Sequence, residues 1–110
     1  MNLVSDRSIL DNFTIDFITI LQKYSEYMVV SGFLAIASGR TRGTEDIDLI
    51  VKKMSLGIFK KFFNDLYSNN FECIQDDDPK DIYNLYLKNN ETIRFVRKGT
   101  FAPDMEFKFS

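Results

Sequence analysis

The sequence predicts an α/β (α+β) domain in which a mixed β-sheet is flanked by helices. Three observations point there. Two stretches repeat apolar side chains every three or four residues, as helices do. Short runs rich in Val, Ile and Phe lie between and after them. In the last run, Met105, Phe107 and Phe109 alternate with Asp104, Glu106 and Lys108, the period of a strand with one polar face. A chain of 110 residues is one domain with one modest core.

The first helix is expected over residues 6–24, where Ile9, Phe13, Phe17, Ile20 and Tyr24 recur at helical spacing and Ser5 can cap the start. A short strand follows at 27–30. Gly32 opens a short helix at 33–37, and a loop at 39–44 leads to a strand at 46–51, with Ile47 and Leu49 facing the core. Ser55 caps a second long helix, 56–68, whose Phe59, Phe62, Phe63 and Leu66 form an apolar face. Residues 71–74 read as a strand. Asp78-Pro79 reads as an N-cap followed by proline at the first helical position, starting a helix through residue 87; the run 83–87 alternatively reads as a strand. Asn89-Asn90 and Lys98-Gly99 are turns around a strand at 92–97, and the last strand occupies 104–109. Ending at Ser110 on an amphipathic strand, the chain reads as a domain truncated at its C-terminus. That final strand would offer an open edge.

Composition narrows the chemistry. The chain is 45% hydrophobic and 27% charged, an ordinary globular balance that leaves no room for extensive disorder. A net charge of −2 and a pI near 5.1 argue against a generic nucleic-acid coat. With no histidine, zinc sites and Ser-His-Asp or Cys-His machinery are excluded. Cys73 is the one cysteine and sits in an apolar run, which fits a buried reduced thiol. No segment approaches 18 uninterrupted apolar residues and no signal peptide is evident, so the expected compartment is the cytoplasm and no membrane partner is expected. Asp76-Asp77-Asp78 lacks the ligand spacing of a calcium loop and reads as a solvated turn.

The chemistry concentrates between Tyr27 and Lys53. An apolar strand runs into Ser31-Gly32; after a gap of thirteen residues comes Asp46-Ile47-Asp48. Carboxylates at i and i+2 on a strand point the same way, about 7 Å apart. They repel unless a cation lies between them. A divalent metal carrying a nucleoside triphosphate meets that need, and only oxygen donors are on offer, which selects Mg²⁺ or Mn²⁺. Arg40 and Arg42 stand a few residues away, and guanidinium forks suit phosphate oxygens. Thr44 either offers a hydroxyl to phosphate or ends the loop.

A small-residue turn after a strand, that gap, and then Asp-Ile-Asp resemble the minimal nucleotidyltransferases of the DNA polymerase beta-like superfamily. The match covers about residues 29–51. The form Arg42-Gly43-Thr44-Glu45-Asp46-Ile47-Asp48 is similar to a branch of small bacterial and archaeal proteins, many associated with toxin–antitoxin pairs. The resemblance implies an αβαβ core and transfer of an NMP group from an NTP to a hydroxyl acceptor on a protein, RNA or small molecule. It places Ser31 and Gly32 at the triphosphate, Asp46 and Asp48 on the metal, and Glu106 as the third carboxylate, with Asp104 as the alternative. A second reading is a non-catalytic module of the same fold. It would act through association with an antitoxin-like partner, or as a homodimer formed along the open edge of the last strand. A sugar-nucleotide glycosyltransferase also uses Asp-x-Asp, but such domains are usually much larger.

Overall fold

In the computed structural model, residues 3–30 and 46–110 are described, with the side chains of 3–8, 28–30 and 46 outside that description. The expected short helix at 33–37 and loop at 39–44 lie outside the described residues. The chain runs α1 (Leu3–Leu21), β1 (Tyr27–Val30), β2 (Asp46–Val51), α2 (Leu56–Ser68), β3 (Phe71–Cys73), α3 (Pro79–Leu85), a 3₁₀ turn (Leu87–Asn89), β4 (Ile93–Arg97) and β5 (Asp104–Phe109). The five strands form one mixed sheet in the order β1-β2-β5-β4-β3. Among the described residues, β2 and β5 run parallel, and the β1–β2, β5–β4 and β4–β3 pairs are antiparallel. The expected α+β class holds. Among the described residues no helix is long and apolar enough to cross a membrane.

The alternation along each strand decides which face is covered. Ile47, Leu49 and Val51 of β2, Met105, Phe107 and Phe109 of β5, Ile93 and Phe95 of β4, and Phe71 and Cys73 of β3 are all buried. Helices cover this face. From α1 come Leu10, Phe13, Phe17, Ile20 and Leu21; from α2 come Phe59, Phe62, Phe63 and Leu66; α3 adds Ile82. Phe17 stands at the middle, with the rings of Phe71 and Phe95 each 5.4 Å away, Phe62 at 5.9 Å and Phe107 at 6.4 Å, centroid to centroid. Edge and tilted arrangements dominate, as the quadrupoles of packed aromatic rings favour.

Local signals explain where the elements start and stop. Ser55 caps α2 by accepting from the Ile58 N–H at 3.3 Å, and Asp78 caps α3 by accepting from the Lys80 N–H at 3.0 Å. Pro79 fills the first turn of α3, where no N–H is needed. Asp76 Oδ1 accepts from the Asp77 and Asp78 amides, so the acidic run is a turn leading into that cap, as expected. Asn90 adopts a left-handed conformation with φ of 61°, which Asn tolerates better than most residues.

Three expectations need correction. First, α1 lies about three residues earlier than its apolar spacing suggests. Ser5 falls inside it rather than at its cap, and its end tightens into short-range bonds from Lys23 N–H to Ile20 O and Tyr24 N–H to Leu21 O. Ile9 is 56% exposed, because at about 100° per residue it falls off the stripe set by Leu10, Phe13, Phe17 and Leu21. Second, the helix expected to reach residue 87 ends at Leu85 and gives way to the 3₁₀ turn. Third, β5 is not an edge. It lies between β2 and β4, so its backbone cannot pair with a second copy, and the homodimer expected along that edge is ruled out.

Two polar anchors tie the helices down. Arg97 of β4 bonds Asp16 of α1 at 2.7 Å while its guanidinium lies 4.7 Å from the Phe71 ring centroid. The Tyr24 hydroxyl donates to Asp65 Oδ2 at 2.8 Å, and Lys23 Nζ lies 3.1 Å from the same oxygen. Chiefly through the Tyr24 bond, then through Lys23, the Asp65 carboxyl is held below its ordinary range. The bond to Asp65, with burial second, pushes the Tyr24 phenol up.

Replacing Phe17 by Ala is expected to cost about 3–5 kcal/mol in urea unfolding, since the void opens among four other rings. The Asp65 carboxyl, depressed in the folded state, stabilises above its unfolded value near about 4 and loses that contribution as pH falls through its folded value. Tyr24→Phe should therefore lower the urea midpoint at pH 6 and differ less from wild type at pH 3.

Candidate functional site

The parallel pairing of β2 with β5 sets Asp46 beside Asp104, Asp48 beside Glu106 and Ile50 beside Lys108. Because Ile47 and Leu49 of one strand and Met105 and Phe107 of the other are buried under the helices, Asp48, Asp104, Glu106 and Lys108 occupy the opposite face. Asp48 thus lies beside the Asp104–Glu106 row of the neighbouring strand, with strands about 4.8 Å apart. Like charges directly opposite each other are destabilising, so cations are needed on this face.

The fold supplies one from β4. Arg94 is the cross-strand partner of Glu106. Its guanidinium reaches Asp104 Oδ2 through one terminal nitrogen and Glu106 Oε2 through the other, both at 3.4 Å. Its backbone is held on the β3 side: the Arg94 N–H donates to the Gln75 side-chain oxygen at 2.9 Å and its carbonyl accepts from Ile74 N–H at 2.9 Å. Sequence reasoning missed Arg94. Its signal was the alternation of Ile93-Arg94-Phe95, which puts the arginine on the polar face.

Next to this network lies a cavity of about 220 Å³ lined by Asp48, Leu49, Ile50, Thr92, Glu106 and Lys108. Asp48 and Glu106 therefore meet across two strands and share one concavity, with a hydroxyl and an ammonium group at its wall. Glu106 faces Asp48, whereas Asp104 faces Asp46 one step nearer the start of both strands. Both candidates for the third carboxylate are on the same face.

Of the other residues picked out from the sequence, Ser31, Gly32, Arg40, Arg42 and Thr44 lie outside the described residues, as does the side chain of Asp46. The backbone nonetheless fixes where that segment joins the sheet. The chain leaves β1 at Val30, the partner of Asp48, and returns at Asp46. Among the described residues, no group of three or more Asp, Glu, Cys or His side chains is placed to hold a metal ion. The donor chemistry nevertheless suits a hard cation: Asp48 and Glu106 offer carboxylate oxygens from adjacent strands, the type Mg²⁺ and Mn²⁺ prefer.

Away from this face, Tyr83 donates its hydroxyl to the Met54 carbonyl at 2.7 Å and packs on Phe59 and Phe109, so its ring belongs to the core rather than to a base-stacking surface. Cys73 lies on the covered face of the sheet, and burial pushes its thiol up, so it remains protonated and offers no nucleophile. No protein-family model, curated protein or solved structure matches the chain.

A disulfide-exchange reagent should react with Cys73 at least about tenfold more slowly in the native protein than in denaturing urea. Equal rates would place the thiol outside the core.

Proposed function

We propose that this chain is a metal-dependent nucleotidyltransferase that moves an NMP group from an NTP to a hydroxyl acceptor. The supporting observation is the register of β2 against β5, which pairs Asp46 with Asp104 and sets Asp48 beside Glu106 on the face away from the core. A mixed sheet with Asp-x-Asp on one strand and further carboxylates on the neighbouring strand suits the DNA polymerase beta-like arrangement that the 29–51 segment resembles. The junction of β1 with the Ser31-Gly32 segment opposite Asp48 also fits it.

In this reading Asp46, Asp48 and Glu106 hold Mg²⁺ or Mn²⁺, which, when bound, stabilises charge on the entering and leaving oxygens of an in-line displacement. The acceptor oxygen forms a bond to the α-phosphorus, the bond to the pyrophosphate oxygen breaks, and the hydroxyl proton passes to a carboxylate. In this reading Glu106, which shares the cavity with Asp48, takes that proton. Ser31 and Gly32 approach the triphosphate, Arg40 and Arg42 take its β- and γ-oxygens, and Thr44 offers a hydroxyl. The cytoplasm, where nucleoside triphosphates are abundant, is the proposed site of action.

One observation favours a second reading. Arg94 already offsets Asp104 and Glu106, as it would in a module that keeps the fold but works through an antitoxin-like protein partner.

Calorimetric titration of ATP, GTP, CTP and UTP with Mg²⁺ or Mn²⁺ separates the two. Metal-dependent binding, weakened at least about tenfold (about 1.4 kcal/mol) in the Asp46→Ala/Asp48→Ala double variant, is the expected result. A folded wild type that binds none of the four sinks the enzyme reading in favour of the binding module.

A further inference from the structure

We infer that Arg94 is an exchangeable counterion that makes divalent-cation binding at the carboxylate face depend on the triphosphate; this rests on the metal–nucleotide reading above. The guanidinium spans Asp104 and Glu106 at 3.4 Å to each, occupying with its charge the ground a metal would neutralise. The Arg94 side chain is 49% exposed, and the distances are long for charge-assisted hydrogen bonds. Such a pair contributes little to stability and yields readily to a stronger competitor.

The two halves of Arg94 differ in freedom. Its backbone is fixed through Gln75 and Ile74, so it stays beside Glu106 in the register. Its side chain has several rotatable bonds and can swing without disturbing the sheet. A metal entering between Asp48 and Glu106 draws Glu106 away from Arg94. If the metal comes alone, the guanidinium loses that carboxylate and gains nothing in exchange. If it comes with a triphosphate, the released fork meets phosphate oxygens, for which its paired donors are suited. Cation and nucleotide are thereby coupled, and coupling between two ligands is reciprocal.

The test compares wild type with Arg94→Gln in calorimetric titrations with Mn²⁺ alone and with preformed Mn²⁺–α,β-methylene-ATP. Wild type should bind the complex much more tightly than bare Mn²⁺. Arg94→Gln should bind bare Mn²⁺ about three- to tenfold more tightly than wild type and lose most of the advantage of the complex. Equal affinity of both proteins for bare Mn²⁺ overturns the role of Arg94 and leaves the metal site standing. If neither protein binds Mn²⁺ in either form, the metal–nucleotide reading falls, and the Arg94 role with it. Circular dichroism checks the fold of the variant. Should Arg94→Gln not fold, Arg94→Lys keeps the charge but cannot bridge two carboxylates with a planar fork; it should bind bare Mn²⁺ about two- to threefold more tightly. Unchanged affinity in that variant overturns the proposal.

Discussion

The parallel pairing of β2 with β5 is the constraint from which both the core and the acidic face follow. Side chains on a strand alternate, so burying Ile47, Leu49 and Val51 against the helices commits Asp48 to the other side; Met105, Phe107 and Phe109 do the same for Asp104 and Glu106. A slip of one residue in either strand would turn its apolar row outward and its acids inward. Hydrophobic packing thus holds the carboxylates together against their mutual repulsion. The aromatic rings around Phe17 supply much of that packing.

What could be read from the residues alone depended on the range of the interaction. Helix α2 was legible from end to end because its cap, Ser55, and its apolar stripe are encoded within a few turns. The face pattern of β5 was legible for the same reason. Its neighbours were not: period-two alternation says which face is covered but nothing about which strands lie alongside. Hence a strand last in sequence was expected at the edge and lies inside the sheet. Arg94 eluded the reading likewise, since its meeting with Asp104 and Glu106 depends on the β4–β5 register. Ile9 misled because apolar spacing defines a stripe only to within one neighbouring row, and Leu10 fills the inner position.

The carboxylate face brings acids, a hydroxyl and cations together at one place on the sheet. Asp48 and Glu106 face each other in a concavity, Thr92 and Lys108 share its wall, and a pinned arginine bridges the adjoining acids. A solvated sheet face would spread its charges with both signs interspersed. Here the acids Asp48, Asp104 and Glu106 lie on adjacent strands, with Arg94 reaching them from β4 and Lys108 one step further along β5. Such an arrangement suits a ligand that carries both signs of charge.

At the far side of the sheet, the β3 residue Cys73 directs its backbone N–H to the Tyr67 hydroxyl at 3.2 Å. Tyr67 belongs to the preceding helix and stacks on Phe63 at 4.6 Å between centroids, so the capping oxygen is held by the core. An outermost strand of three residues with a spoken-for amide gives an incoming strand little to template on. Fibre-like stacking of successive molecules through this margin is thereby discouraged. The helix that shelters the core also acts as a guard against aggregation.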